Sequence, residues 1–528
     1  MKKTIIVLLT VLLLASWVYA GGGSQQSSGG GASTSTLLVD DRSKTLDLTW
    51  WGFNNPGILP HNGSVVQREM ERRYNIRITN IPVDNYNAEQ GNLLIATGVQ
   101  CDVWLATTGI AAAQNGLLRP LPMELMTRFA PNIVRILNNE SREWTKTGSV
   151  DGVLYGFPSL SFDQTSPYGL VVRTDWLRNL GVTTLPTTLD ELEALMVRFR
   201  NDDPDGNGRR DTYGLSMSEG NGGINFVNPY LFATYGVQPN RWTVDTDGSP
   251  KWFALDDNYR QALIKLSEWW AKEIYDPSLV VNASRADNWN RIANGVVAGT
   301  FGTDWQQTPR ANPVANAWDL LLQNNPNLDA ATVTTLIPPV RGPNGVRTHQ
   351  FNTPIQVGFS AFGRNTSDEK IARVLSMLDD IVSQRDLYLL VSYGIEGQHW
   401  DFNEDKRPLV RPEWNSPEKL TEIGGNRYKL SQFLPFEFAD IAYNSARFTQ
   451  FEAMRNWTTL PLHFMQFIPV PEETEFGAAT SRIASEYFWK TFTGEWDVNS
   501  TWNDYTNRWR AAGGQQILDA KKKLAREL

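Results

Sequence analysis

Twelve residues constrain this chain more than any others: Asp203-Pro204-Asp205-Gly206-Asn207-Gly208-Arg209-Arg210-Asp211-Thr212-Tyr213-Gly214. Oxygen side chains fall at positions 1, 3, 5 and 9 of the run (Asp203, Asp205, Asn207, Asp211), and Gly208 stands at position 6. That spacing lets one tight loop wrap hard oxygen ligands around a cation, with a backbone carbonyl expected from position 7, Arg209. The cation such a donor set suits is Ca²⁺. Position 12 holds Gly214, where the common calcium loop carries a bidentate glutamate. A weaker site, or a carboxylate supplied from elsewhere in the fold, is the expected consequence. A plain Asp/Asn/Gly turn is the alternative reading. No reactive neighbour accompanies these carboxylates, so the expected role of the ion is a structural clamp.

The ends of the chain say where it works. It opens Met1-Lys2-Lys3, runs apolar from Ile5 to Ala15 and reaches Val18-Tyr19-Ala20. A basic start, a short apolar core and small residues at −3 and −1 predict a secretory signal peptide over residues 1–20, cleaved after Ala20. No run is long enough to span a bilayer comfortably, so the mature protein is expected to be exported and soluble, in the periplasm or outside the cell. Residues 21–36 are almost entirely Gly, Ser, Gln, Thr and Ala, the composition of a flexible tether. Such a tether usually follows the lipidated cysteine of a bacterial lipoprotein, yet position 21 is Gly21 and the only cysteine is Cys101. As written, the chain is expected to carry neither a lipid at position 21 nor an intramolecular disulfide. Cys101, before Asp102-Val103-Trp104, reads as a buried small hydrophobe.

The remaining stretch of about 490 residues is enough for two or three domains. A net charge of −8 and no basic patch with interleaved aromatics disfavour nucleic acid. His61, His349, His399 and His463 lie far apart, without zinc-ligand spacing. The unusual count is 20 tryptophans, which in an exported protein points toward stacking on sugar faces, although core packing explains most single cases.

Alternation organises the first part of the chain. Leu46 to Trp51 reads as a strand, a helix capped by Ser64 runs to Tyr74, and Ile76 to Thr79 is a second strand. A helix over Ala88 to Thr97 and a strand from Cys101 to Ala106 follow, which argues an α/β unit with a parallel sheet. Ligands of such sheets bind at the carboxyl ends of strands, where Trp50, Trp51 and Trp104 stand. Farther on, Thr188 caps a helix from Leu189 to Arg200 that enters the cation loop. A helix spans Asp257 to Lys272, a small-residue strand covers Ala293 to Asp304, and one long helix is expected from Asp368 to Tyr393. From Ser481 the chain is mostly helical, with Lys521-Lys522-Lys523 as a solvated helix end.

Four segments in order carry a family resemblance. They are Leu154-Tyr155-Gly156-Phe157-Pro158; Arg173 through Gly181; the cation loop running into Asp211-Thr212-Tyr213-Gly214-Leu215; and Tyr393-Gly394-Ile395-Glu396-Gly397-Gln398-His399-Trp400. The stretch from Trp502 to Leu518, with Gly513-Gly514, resembles the closing helices. In these respects the chain resembles the family 1 extracellular solute-binding proteins of bacterial ABC importers, in their long oligosaccharide-binding subset. It departs at Gly21, and at Thr212, where relatives that bind acidic sugars can carry a second acid. The resemblance implies an α/β, two-lobe periplasmic-binding-protein fold of type II, with hinge crossovers and a helix-rich second lobe. The expected division is lobe 1 over 37–160 plus about 300–365, and lobe 2 over 161–299 plus about 366–528, with the Ca²⁺ loop at 203–214 in lobe 2. It also implies a monomer that hands an oligosaccharide to ABC permease subunits.

A sugar cleft needs aromatic plates and planar polar groups. The candidates are Trp50, Trp51, Trp104, Tyr168, Trp305 and Trp400 for stacking, with Asn54, Asp304, Glu396 and His399 as polar partners. Strand alternation would send Trp50 and Trp51 to opposite faces, so one of the two is expected to reach the cleft. Trp176 and the Arg173–Asp175 pair read as structural. A glycoside hydrolase is the enzymatic alternative, but no carboxylate pair sits in a recognisable catalytic frame, no Gly-x-Ser-x-Gly elbow occurs, and Cys101 lacks an obvious histidine partner. The expectation is a protein that is not an enzyme. A sugar-sensing ectodomain without transport remains open, because its fold would be the same.

Overall fold

The structure, a computed structural model, describes residues 38–52, 62–83, 88–106, 109–140, 144–160, 169–216, 228–280, 285–302, 317–329, 332–345, 347, 355–404, 406–430, 436–438, 441, 460, 462–466 and 468–527. The chain divides into two units, Met1–Val39 and Asp40–Leu528. The second unit contains two sheets. In chain order the main strands are β1 (Leu46–Trp51), β2 (Ile76–Asn80), β3 (Val103–Ala106), β4 (Gly156–Leu160), β5 (Gly169–Arg173), β6 (Tyr213–Leu215), β7 (Val297–Gly302), β8 (Thr334–Ile337) and β9 (Ile355–Phe362). The first sheet runs β2-β1-β3-β9-β4 and the second β8-β5-β7-β6. β1 pairs in parallel with β2 and β3, whereas β9 runs antiparallel to β3 and β4.

The helices that cover the first sheet begin with α1 (Val65–Tyr74), where the Ser64 side chain accepts from the Gln67 N–H and satisfies one of the free amides of the first turn. α2 (Ala88–Ala96), α3 (Met123–Phe129) and α4 (Pro131–Glu140) follow. α5 (Leu189–Asn201) opens with a full capping box: Thr188 accepts from the Glu191 N–H, and Glu191 accepts from the Thr188 N–H. α6 (Asp257–Ala271) starts on Asp256.

The long helix expected from Asp368 to Tyr393 is two helices, α7 (Asp368–Ser383) and α8 (Arg385–Tyr393). Gln384 between them is extended (φ −114°, ψ 110°), and the Ser383 hydroxyl bonds back to the Asp379 carbonyl at 2.8 Å, ending the first ladder. Chain-end signals are weak here because neither Gly nor Pro marks the break.

The lobe boundaries also differ from the expected ones. β8 (Thr334–Ile337) pairs with β5 in the second sheet, so lobe 1 does not resume near residue 300 but at β9. α7 packs on α3 and α4, placing residues 368–383 with the first sheet, while the helices from Pro471 onward belong to the second lobe. Its buried stripe, Ile371, Val374, Leu375, Leu378, Ile381 and Val382, repeats at helical spacing. Each such side chain contributes roughly 1.5–3 kcal/mol on burial. The physical reason for the mismatch is that strand partnership across hundreds of residues leaves no local mark.

Two polar anchors fix this lobe. The buried Asp379 carboxylate accepts from the Ile133 N–H and the Asn132 amide, both at 2.9 Å, and so caps α4 from α7; burial pushes its pKa up. Arg373, 2 % exposed on its side chain, ion-pairs with Asp40 and donates to the carbonyls of Asp41 (2.6 Å), Lys44 (3.3 Å) and Tyr74.

The second lobe holds the larger aromatic core, including Trp176, Trp269, Tyr259, Tyr275 and Phe488. It is closed by α9 (Pro471–Phe492), α10 (Val498–Trp509) and α11 (Gln515–Glu527). Between the last two helices Gly513 sits at φ 103°, and a Cβ there would meet the Phe476 ring at 2.1 Å, so only glycine fits. Lys521 is not a solvated helix end as expected. It is 1 % exposed, pairs with Glu473 at 2.8 Å and donates to the Met465 carbonyl at 2.9 Å, because α11 folds back over the segment preceding α9. Among the described residues no helix is long and apolar enough to cross a membrane.

Candidate ligand cleft and cation loop

Strand register locates the cleft. Trp51 lies beside Trp104, Ala106 beside Phe359, and Leu160 beside Ile355, so the carboxyl ends of β1, β3 and β4 share one edge of the first sheet. In the second sheet Gly302 lies beside Gly169 and Ile337 beside Leu170, so the carboxyl ends of β7 and β8 share the edge where β5 begins. The chain passes between these two edges from Leu160 to Gly169 and again from Ile337 to Ile355. The first crossing can reach at most about 30 Å even fully extended. Carboxyl edges joined this closely are where α/β sheets hold their ligands.

Of the ten sequence candidates, Asn54, Tyr168, Asp304 and Trp305 lie outside the described residues. The others are described. Trp50 and Trp51 do diverge as alternation requires. Trp50 packs against Tyr428 (ring centroids 5.7 Å apart) and its indole N–H donates to the Arg427 carbonyl at 3.0 Å. Trp51 stacks obliquely on Trp104 at 4.6 Å within an apolar cluster that includes Val83, Ile95, Cys101 and Phe359. All three are at most 1 % exposed. The indole N–H groups of Trp51 and Trp104 are buried without a hydrogen-bond partner among the described residues.

Glu396, His399 and Trp400 do not form one polar lip. Glu396 is exposed, whereas His399 and Trp400 are buried under the turn they belong to. His399 Nδ1 accepts from the Ile395 N–H at 2.9 Å, and its ring meets Trp414 edge-on at 4.5 Å. Trp400 donates to the Gly394 carbonyl at 2.9 Å. Burial lowers the His399 pKa.

A polar group at the carboxyl end of β2 escaped the sequence reading. The Tyr428 hydroxyl donates toward Asn80 Oδ1 (3.1 Å) and Gln67 Oε1 (3.2 Å), and Asn80 Nδ2 reaches the same Gln67 oxygen at 3.0 Å. No local signal links Tyr428 to β2; only the fold joins them. Cys101 is buried, and burial raises its thiol pKa, as its apolar run implied.

The cation loop follows α5. Asp203 takes φ 49°, and its carboxylate accepts from the N–H groups of Asn207 (3.0 Å) and Gly208 (2.9 Å). The Asn207 amide nitrogen bridges Asp205 Oδ2 (2.8 Å) and Asp211 Oδ1 (3.1 Å), while its oxygen accepts from the Arg209 N–H at 2.8 Å. Burial and the neighbouring carboxylates of Asp203 and Asp211 raise the Asp205 pKa. All four side chains therefore converge, and their oxygen chemistry fits Ca²⁺. Turning the Asn207 amide over would present its oxygen to an ion in place of its nitrogen. Among the described residues no three acidic, histidine or cysteine side chains form a ready-made metal group. At position 12, a Cβ on Gly214 would meet Met196 at 3.2 Å, so a side chain there would need Met196 to shift.

Three known proteins frame these observations. Lipoprotein LipO of Bacillus subtilis (strain 168) is 24% identical over 464 residues, 85% of this chain and 86% of LipO. The fructooligosaccharide ABC transporter substrate-binding protein FusA of Streptococcus pneumoniae serotype 4 (strain ATCC BAA-334 / TIGR4) is 28% identical over 253 residues, 45% of each chain. FusA in complex with kestose shares the fold (TM-score 0.64, 18% identity, 92% of this chain and 99% of that one), as does a FusA EF-hand mutant with fructo-nystose (TM-score 0.64, 16%, 91% and 99%). So does alginate-binding protein AlgQ2 without calcium ion (TM-score 0.66, 17%, 91% and 98%). The model of the bacterial extracellular solute-binding proteins matches residues 67–373, and with two sheets joined at their carboxyl edges the chain belongs to that family.

Proposed function

We propose that this protein captures an oligosaccharide between its two lobes and delivers it to the permease subunits of an ABC importer. The observation that carries the reading is the double crossing between the carboxyl edges of the two sheets. A ligand that touches both lobes only when they close stabilises the closed state, so closure is a population shift. The relatives support the ligand class: FusA is a fructooligosaccharide transporter component, and AlgQ2 binds alginate.

In this reading Asn54, Tyr168, Asp304 and Trp305 supply ligand contacts, with Glu396 at an exposed turn. Trp50, Trp51 and Trp104 back the cleft from inside the first lobe, and His399 and Trp400 set the shape of the turn that carries Glu396. The protein acts as a monomer, exported after cleavage behind Ala20, and performs no chemistry on its ligand. Ca²⁺ binds through Asp203, Asp205, Asn207, the Arg209 carbonyl and Asp211, and stiffens the second lobe away from the ligand. The AlgQ2 structure without calcium ion and the FusA EF-hand mutant support that role.

The test is a thermal-shift screen of residues 37–528 against an oligosaccharide library in Ca²⁺ buffer, with recovery of each hit. A stabilising sugar recovered intact is the expected result. A sugar recovered cleaved would make the protein an enzyme, and the absence of any sugar hit would move the ligand to another class of solute.

A further inference from the structure

The loop that lacks a twelfth-position ligand has a different closure. Arg200, on the last turn of α5, is 7 % exposed, and its guanidinium crosses the loop's neck. Nη1 donates to the Arg210 carbonyl at 2.8 Å and to the Thr212 carbonyl at 3.2 Å, on the outgoing strand. Nε and Nη2 both reach Glu273 Oε2, at 3.2 and 3.1 Å. The guanidinium carbon also lies 4.5 Å from the centroid of the Tyr213 ring. Two further ties cross the same neck: the buried Thr212 hydroxyl donates to the Phe199 carbonyl at 2.7 Å, and Arg210 donates to Asn201 Oδ1 at 2.9 Å. Arg210 reaches Glu273 as well, at 2.8 Å.

Glu273 is held at φ 55°, a left-handed conformation that strains a non-glycine residue. That conformation aims its carboxylate at both arginines. In a standard calcium loop the twelfth-position carboxylate draws the outgoing chain toward the ion. Here Gly214 cannot do so, and the outgoing chain is already bonded to the incoming helix.

We propose that Arg200, backed by Glu273, closes the neck of the cation loop in place of a twelfth-position ligand. The loop then keeps its shape with or without the ion, and Arg200 is a positioning residue for cation binding. A pre-closed neck removes the ordering that the ion would otherwise have to impose, so clamp and cation favour the same state. The affinity part of this inference rests on the loop being a Ca²⁺ site; the shape part does not.

The experiment compares wild type, Arg200→Lys, which keeps the charge and loses the fork, and Glu273→Gln, a milder change at a half-exposed side chain. Hydrogen exchange over residues 203–212 is followed in EGTA, and Ca²⁺ affinity is measured by calorimetry. Protection of the wild-type loop in EGTA is expected, with loss of that protection in both variants. Ca²⁺ affinity should fall about tenfold in Arg200→Lys, the size of an ordinary coupling between two sites. A wild-type loop unprotected in EGTA, or variants protected equally well, would overturn the clamp. A lowered melting temperature with unchanged Ca²⁺ affinity would also overturn it, leaving Arg200 as a general stabiliser of the lobe. If wild type takes up no Ca²⁺ at all, the cation reading fails, while exchange still decides whether Arg200 closes the neck.

Discussion

The neck of the cation loop and the carboxyl edge of the first sheet treat buried polar groups in opposite ways. Around Arg200 the donors meet carbonyls or carboxylates of the protein itself. At the sheet edge, the indole N–H groups of Trp51 and Trp104 are enclosed and lack a partner among the described residues. An unmade bond at such depth costs about 1–3 kcal/mol per group. The neck saturates its hydrogen bonds internally, whereas rings chosen for apolar packing leave polar tips over, as Trp176, Tyr259 and Tyr505 also do in the second lobe's core.

The sharpest way to break this comparison is to remove one of the enclosed rings. Trp104→Ala should lower stability by about 3–5 kcal/mol in urea unfolding, because the side chain is completely buried in an apolar cluster. A loss below 1 kcal/mol would mean that the ring faces open space. Next comes the ion. At a hundredfold excess over its dissociation constant, Ca²⁺ should stabilise the wild type by about 2.7 kcal/mol over EGTA. That increment should vanish in a variant carrying Asp203→Ala and Asp211→Ala; its persistence would place the ion elsewhere.

A smaller effect separates ring from donor. Trp51→Phe keeps most of the aromatic packing and deletes the unpartnered N–H, so stability should stay within about 1 kcal/mol of wild type. A loss above about 2 kcal/mol would mean that the indole N–H is bonded after all.

The smallest effect is one of pH. Burial holds the His399 pKa below its usual 6.5, so the unfolded chain takes up its proton first as the solution is acidified. The stability from a neutral His399 is present above pH 6.5 and declines below it. His463 shifts in the same direction, so the readout is the difference in melting temperature between wild type and His399→Gln, followed from pH 7.5 to 5. That difference should narrow on acidification; a constant gap would count against the assignment.

What could be read from sequence follows the reach of each interaction. The caps at Ser64 and Thr188 were legible because N-cap and partner lie three residues apart. That Asp203, Asp205, Asn207 and Asp211 would meet in one loop was legible for the same reason, since they lie within nine residues. The break at Gln384 was not, since it carries neither Gly nor Pro. Nor was the membership of Thr334–Ile337 in the second sheet, which depends on pairing with a strand more than 160 residues earlier. In the site, Trp50 and Trp51 could be assigned to opposite faces from alternation alone. That Trp50 would meet Arg427 and Tyr428 could not, because those residues arrive from the far end of the chain.

Arg373 has a mechanical consequence. Its guanidinium grips Asp40, Asp41 and Lys44 just before β1 begins. The entry to β1 is therefore tied straight to α7, a helix more than 300 residues later in the chain, as well as to β2 through the strand ladder. Arg373 works as a rivet: the first sheet cannot lose the start of β1 without also giving up a buried charge pair deep in the lobe.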